Sequence, residues 1–221
     1  MNIGILGTGA VGSRLTKLFS KANYKVLLGT RNAKTKDLVS ELGASSAMPY
    51  ASAIKGADIV VLSVPYSSVS GVLAEARDTL DGKVVIDCTN PLTTQWSPLE
   101  LPEGKSAGEN IQEMLPRSFV VKALNTIFAD TMIRSAKDSD PSAADHQNSH
   151  GLPELTCFVA SDYPEAKAKV LSIVQDLGFS GLDAGRLDSA RYLEAMAHLN
   201  IRLALELGGG TNAGFRYHRL P

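Results

Sequence analysis

Three glycines at fixed spacing, in Gly7-Thr8-Gly9-Ala10-Val11-Gly12, restrict the fold of this chain more than any other segment. Alone the pattern is weak, because glycine is common and turns are many. Here it follows Asn2-Ile3-Gly4-Ile5-Leu6, an almost wholly apolar run that reads as a strand covered on both faces. It leads into a stretch from Val11 to Lys21 in which Val11, Leu15, Leu18 and Phe19 recur at helical spacing, with Arg14, Lys17 and Lys21 on the polar side. Strand, glycine turn and helix in that order give the pattern its meaning. Gly7 permits the tight turn, Gly9 lets the backbone approach a pyrophosphate, and Gly12 lets the helix pack closely on the strand. Free N–H groups at the helix start then face the phosphates. The expected dinucleotide site is the whole segment: Gly7, Thr8, Gly9, Ala10, Val11 and Gly12.

The rest of the chain keeps the same rhythm. Strands are predicted over Lys25–Leu28, Ala47–Met48, Ile59–Val64, Lys83–Cys88 and Phe119–Ala123, and helices over Lys36–Leu42, Tyr50–Lys55, Val69–Leu80 and Ser106–Leu115. Ser106 and Glu109 stand in capping-box spacing. Two more strands, Leu155–Ala160 and Phe179–Asp183, flank a helix over Pro164–Leu177 that has proline at its start. A long helix, Ser189–Leu207, ends at Gly208-Gly209-Gly210. This alternation predicts an α/β fold: a Rossmann-type, doubly wound, mostly parallel sheet with a C-terminal helical extension. Residues 1–221 are expected to form a single NAD(P)-binding domain, with 188–221 as its C-terminal helix and tail. Residues 134–154 lack apolar periodicity and read as a flexible surface loop, with an active-site lid as the alternative.

The end of the second strand indicates which dinucleotide. An NAD site places Asp or Glu there for the ribose hydroxyls, and that carboxylate repels a 2′-phosphate. This chain has Gly29-Thr30-Arg31-Asn32, with Lys34 and Lys36 close behind. A hydroxyl, a guanidinium and ammonium groups suit a phosphate dianion, so Thr30, Arg31, Asn32 and Lys36 are assigned to NADP(H). Later strand ends should complete the site, because ligands of open α/β sheets lie at the carboxyl ends of the strands. Ser63, Val64 and Pro65 follow one strand, Asn90 and Pro91 the next, and Ala123 and Asn125 a third. Asn90 and Asn125 suit an amide such as that of nicotinamide, and Val64 with Pro65 an apolar wall.

Composition narrows the partners. With 22 Lys plus Arg against 23 Asp plus Glu and a net charge of -1, the chain lacks the concentrated basic charge that nucleic acid requires. No apolar run approaches the roughly 20 residues that span a bilayer, and no signal-peptide pattern opens the chain. Cys88 and Cys157 read as reduced core thiols, so a cytoplasmic protein without membrane partners is expected. Several motifs carry bland readings. Tyr163 and Lys167 match the YxxxK spacing of short-chain dehydrogenases, but Pro164 puts them at a helix start. His146 and His150 lack the further ligands a metal needs, and no metal site is assigned. His198, four residues from both Glu194 and Arg202, reads as part of a polar helix face or a subunit contact, and a homo-oligomer stays open. The tail from Gly209 to Arg219 is either a frayed terminus or a contact for an anionic acceptor or partner subunit.

The blocks Gly7–Gly12, Gly29-Thr30-Arg31-Asn32, Asp87-Cys88-Thr89-Asn90-Pro91, Val121-Lys122-Ala123-Leu124-Asn125-Thr126 and Leu182-Asp183-Ala184-Gly185 resemble, in this order, the NADPH-dependent oxidoreductases of the deazaflavin coenzyme F420. The cytoplasmic domain of the six-transmembrane ferric reductases is similar to the same family. The resemblance implies an NADP(H) enzyme passing hydride to or from a small-molecule acceptor, coenzyme F420 or a flavin, with NADP held on Thr8, Thr30 and Arg31. Transfer between two cofactors asks mainly for stacking and alignment. No His, Lys or Tyr stands at a strand end with an obvious orienting partner, and no catalytic side chain is assigned. Two alternatives remain: reduction of a small carbonyl or imine, and a non-catalytic NADP(H) redox sensor.

Overall fold

A computed structural model describes residues 1–31, 36–133 and 155–220, without the side chains of 36–38, 103 and 133. Six parallel strands form one sheet in the order β3-β2-β1-β4-β5-β6. They are β1 (Asn2–Leu6), β2 (Lys25–Gly29), β3 (Ser46–Met48), β4 (Ile59–Leu62), β5 (Val84–Asp87) and β6 (Phe119–Lys122). The register is regular: Ile5 of β1 stands between Leu28 of β2 and Val61 of β4. Because successive side chains of a strand point to opposite faces, each inner strand feeds two cores. Ile3, Ile5, Ile59 and Val61 pack on one face with Leu15 and Phe19. Leu6, Val60 and Leu62 pack on the other with Ile54, Val69 and Ile111.

The helices covering these faces are α1 (Ala10–Lys21), α2 (Lys36–Leu42), α3 (Tyr50–Gly56), α4 (Tyr66–Ala74), α5 (Ala107–Met114) and α6 (Pro164–Asp176). Ser106 caps α5 through the expected box, its Oγ accepting from Glu109 N at 3.1 Å while Ser106 N donates to Glu109 Oε2 at 2.9 Å. The predicted helix Val69–Leu80 is corrected: α4 starts at Tyr66 and ends at Ala74, and a separate 3-10 turn spans Arg77–Leu80. Pro65, with φ fixed near helical values, opens α4, and Ala76 at φ −151°, ψ 25° leaves helical space.

Two further parallel strands, β7 (Thr156–Val159) and β8 (Ser180–Asp183), pair with each other. Lys122 and Ala160 exchange backbone hydrogen bonds of 2.9 and 3.0 Å, seaming the end of β6 to the segment after β7 in the antiparallel sense. The last helix, α7 (Ala190–Ile201), is shorter than Ser189–Leu207, because a π-helical turn over Arg202–Glu206 replaces its final turns. The following tail is anchored. Thr156 N donates to Phe215 O at 3.0 Å, and Tyr217 N to Thr156 Oγ1 at 2.9 Å. No helix among the described residues is long and apolar enough to cross a membrane.

Candidate functional site

The strand order reverses between β1 and β4, and the crevice outside their carboxyl ends is where such sheets take ligands. There the three glycines divide into two kinds. A Cβ on Gly7, which has φ +118°, would meet Ser63 O at 2.6 Å. One on Gly12 would meet Gly7 O at 2.2 Å. Both positions are glycine because the protein's own backbone passes there. Gly9 differs: it has ordinary extended dihedrals and nothing within 4 Å of a Cβ. The protein itself does not require glycine at this position, so a ligand backing onto the turn explains it. α1 also has no side-chain cap, and its first N–H groups remain available to an anion.

Around this turn Ser63 acts as a clasp, its N and Oγ both donating to Leu6 O, at 3.0 and 2.8 Å. Val64 is buried and Pro65 exposed. At the end of β2 Thr30 is buried, its N–H donating to Met48 O at 2.9 Å, while Arg31 is exposed. Thr8 is half-buried beside the turn. Asn32 lies outside the described residues, as does the side chain of Lys36.

A cavity of about 350 Å³ runs from Ala10 and Val11 at the start of α1 to Ala197, Asn200 and Ile201 of α7 and on to Leu205 and Thr211. Its walls include Asn90, Leu92, Trp96, Leu124 and Asn125. Asn90 and Asn125 are brought together: Asn125 Nδ2 donates to Asn90 Oδ1 at 3.0 Å, and Asn90 Nδ2 to Asn125 O at 2.9 Å. Asn125 Nδ2 also donates to Leu193 O at 3.1 Å, yet its Oδ1 is buried without a partner. An orphaned buried acceptor is costly, and an amide N–H entering the cavity would satisfy it. Gly9 and Asn125 together thus fit the pyrophosphate and carboxamide of a nicotinamide dinucleotide. Pro91 and Ala123 are buried and do not line this cavity; Ala123 packs in the core.

Beneath the cavity lies a cluster that sequence reasoning missed. Lys122 is fully buried and spends all three ammonium hydrogens, on Asp87 Oδ2 at 2.9 Å, Glu194 Oε1 at 2.7 Å and Thr89 O at 2.6 Å. Burial alone would lower its pKa, but the two carboxylates outweigh this and raise it, so the side chain stays charged. Glu194 carries a second duty, accepting from Ala107 N at 2.9 Å and Gly108 N at 3.1 Å at the start of α5. Arg191, one turn earlier, grips Glu109 with bonds of 2.8 and 2.6 Å and holds that carboxyl down to about pKa 2. α7 is therefore clamped to α5, β5 and β6. A lysine inside an apolar strand was the available sequence signal.

Other candidates fall elsewhere. Tyr163 precedes α6 and stacks edge-on with Phe119, while Lys167 bonds Gly185 O and Asp183, away from the cavity. His198 hydrogen-bonds the Pro91 backbone, and burial lowers its pKa. His146, His150 and the whole of 134–154 lie outside the described residues. Cys88 and Cys157 are free and buried, and burial pushes the Cys157 thiol up to about 12.

Sheet order, glycine turn and crevice define a dinucleotide-dependent oxidoreductase of the Rossmann type. Residues 2–91 match the family model for NADP oxidoreductase, coenzyme F420-dependent. Across its whole length the chain is 30% identical to the F420-dependent NADP reductase of Methanothermobacter thermautotrophicus, covering 96% of that protein. A crystal structure from Arthrobacter sp. FB24, assigned as an F420-dependent NADP-reductase, superposes with a TM-score of 0.84 at 28% identity, over 99% of this chain and 100% of that one. More distantly, the chain is 27% identical to the metalloreductase STEAP3 of Rattus norvegicus over 88% of its own length but 36% of that protein. The chain belongs to the F420-dependent NADP reductase family and is an NADP(H)-dependent oxidoreductase.

Proposed function

We propose that this enzyme transfers hydride between NADPH and a planar deazaflavin or flavin ring, coenzyme F420 being the acceptor the relatives' names suggest. The observation that carries the reading is one largely apolar cavity whose lining joins the start of α1 to α7 and the tail. Hydride transfer between two aromatic cofactors needs alignment and dry walls more than a proton donor. Among the described residues the one acidic side chain on the wall, Asp130, is occupied by Thr211 Oγ1 at 2.5 Å.

Bound NADPH supplies the hydride. Gly7, Gly9 and Gly12 with the N–H groups around Ala10 and Val11 hold its pyrophosphate, and Thr8, Thr30 and Arg31, with Asn32 and Lys36, its adenosine end. Asn125, locked by Asn90, orients the carboxamide. Ser63, Val64 and Pro65 back this crevice, and the buried Pro91 and Ala123 support it from behind. Both cores share one sheet, which supports a single functional domain over the described residues.

NADPH oxidation should be screened against coenzyme F420, FMN, FAD, ferric chelates and simple carbonyls. Turnover with a ring acceptor is expected; turnover with carbonyls alone would overturn the reading. In the same assay Arg31→Ala should lower the preference for NADPH over NADH by about 10- to 100-fold, the worth of one charge-assisted hydrogen bond.

A further inference from the structure

Among the described residues only Asn23, Trp96 and Leu124 combine a side chain with left-handed backbone, each at φ +63°. Asparagine tolerates that region, whereas a bulky residue there is a genuine outlier. Both bulky outliers line the same cavity. Leu124 is buried, and its packing offsets the strain. Trp96 has no such compensation, since 61% of it is exposed.

The loop nevertheless holds Trp96 there firmly. Leu92 and Pro98 form an antiparallel bridge, Thr93 N donates to Ser97 O at 2.8 Å, and Leu99 N to Pro91 O at 2.8 Å. Thr93 Oγ1 accepts from Gln95 N at 3.3 Å and Ser97 N at 3.2 Å, closing the hairpin from inside. Glycine or asparagine would satisfy this tip better, yet it carries the chain's one tryptophan. Strain and exposed aromatic area together, held by the hairpin's hydrogen bonds but not offset by packing, point to compensation by a ligand.

We infer that Trp96 is the stacking wall for the acceptor ring and the residue that gives the site its preference for planar polycyclic acceptors. The inference rests on the proposed function. Trp96 shares the cavity lining with Leu92, Phe128 and Leu205, and is not among the residues assigned to NADPH, so its substitution leaves the NADPH contacts in place.

The test combines kinetics, binding and melting of Trp96→Gly and Trp96→Phe. Trp96→Gly should raise the KM for F420 or FMN about tenfold, the loss expected for an aromatic stack, and leave the NADPH KM within twofold. It should also raise the melting temperature by about 2–4 °C, because glycine relieves the left-handed strain. Trp96→Phe should keep the acceptor KM within about threefold. An unchanged acceptor KM in Trp96→Gly overturns the inference, and so does a lowered melting temperature, which would make Trp96 a structural residue. If the wild type turns over no ring acceptor, the functional reading itself falls. The dissociation constant of FMN from the NADP-loaded protein then decides on Trp96: a tenfold rise in Trp96→Gly supports the stacking wall, and no change removes it.

Discussion

The two ends of the cavity are built by opposite means. The phosphate end consists of neighbours in sequence: a strand, a six-residue turn and a helix, held by backbone geometry at Gly7 and Gly12. The end proposed to take the acceptor is assembled from the segments after β5 and β6, from α7 and from the tail, and is braced by side chains such as Glu194, which reaches back to α5 across 86 residues. A local site is robust and recurs in many proteins. A site built from distant segments depends on every clamp, and there a family can change its acceptor without changing its dinucleotide.

The largest effect should come from breaking the distant clamp. Lys122→Met leaves Asp87 and Glu194 buried without their cation, and should cost about 3–5 kcal/mol in urea unfolding. A loss below 1 kcal/mol would mean that the two ends do not differ in this way. Next, the glycines separate fold from ligand within the local end. Gly12→Ala drives a Cβ into Gly7 O and should lose about 1–3 kcal/mol of stability. Gly9→Ala should melt like the wild type while its NADPH dissociation constant, read by fluorescence titration, rises about tenfold or more. Equal melting losses for both would erase the distinction. The smallest effect belongs to Glu109 and Arg191. Glu109 has a folded pKa of about 2, below the ordinary 4.5, so its contribution is complete above pH 4.5 and fades as pH falls toward 2. The pair is partly in water, and screening keeps the effect small. Glu109→Gln should flatten the pH dependence of stability in that window, lying below the wild type by no more than about 1 kcal/mol at neutral pH and meeting it near pH 2.

The same contrast explains what could be read from sequence. β1, the glycine turn and α1 are legible because strand period, turn chemistry and helix period are local and agree. Asn90 and Asn125 were visible as strand-end residues, but their mutual hydrogen bonds were not, since 35 positions separate them. Lys122 in an apolar strand hid its role, because its partners come from β5 and α7. The break after Ala74 escaped the apolar periodicity of Val69–Leu80, which continues through a 3-10 turn. The tail, read as either frayed or an acceptor contact, is tied to β7 through Thr156 N on Phe215 O and Tyr217 N on Thr156 Oγ1, long-range bonds that composition does not encode, and its Thr211 lines the cavity.

Cys157 sits at the seam between β6 and β7, its sulfur accepting from Leu124 N at 3.3 Å with no exposed surface. The thiolate is what reacts with disulfide reagents, and a buried, protonated thiol offers none. Labelling of Cys157 therefore waits for the seam to part. The sulfur is a native clock for the opening of the wall that carries Leu124 and Asn125, timing in hours or seconds how often that wall comes undone.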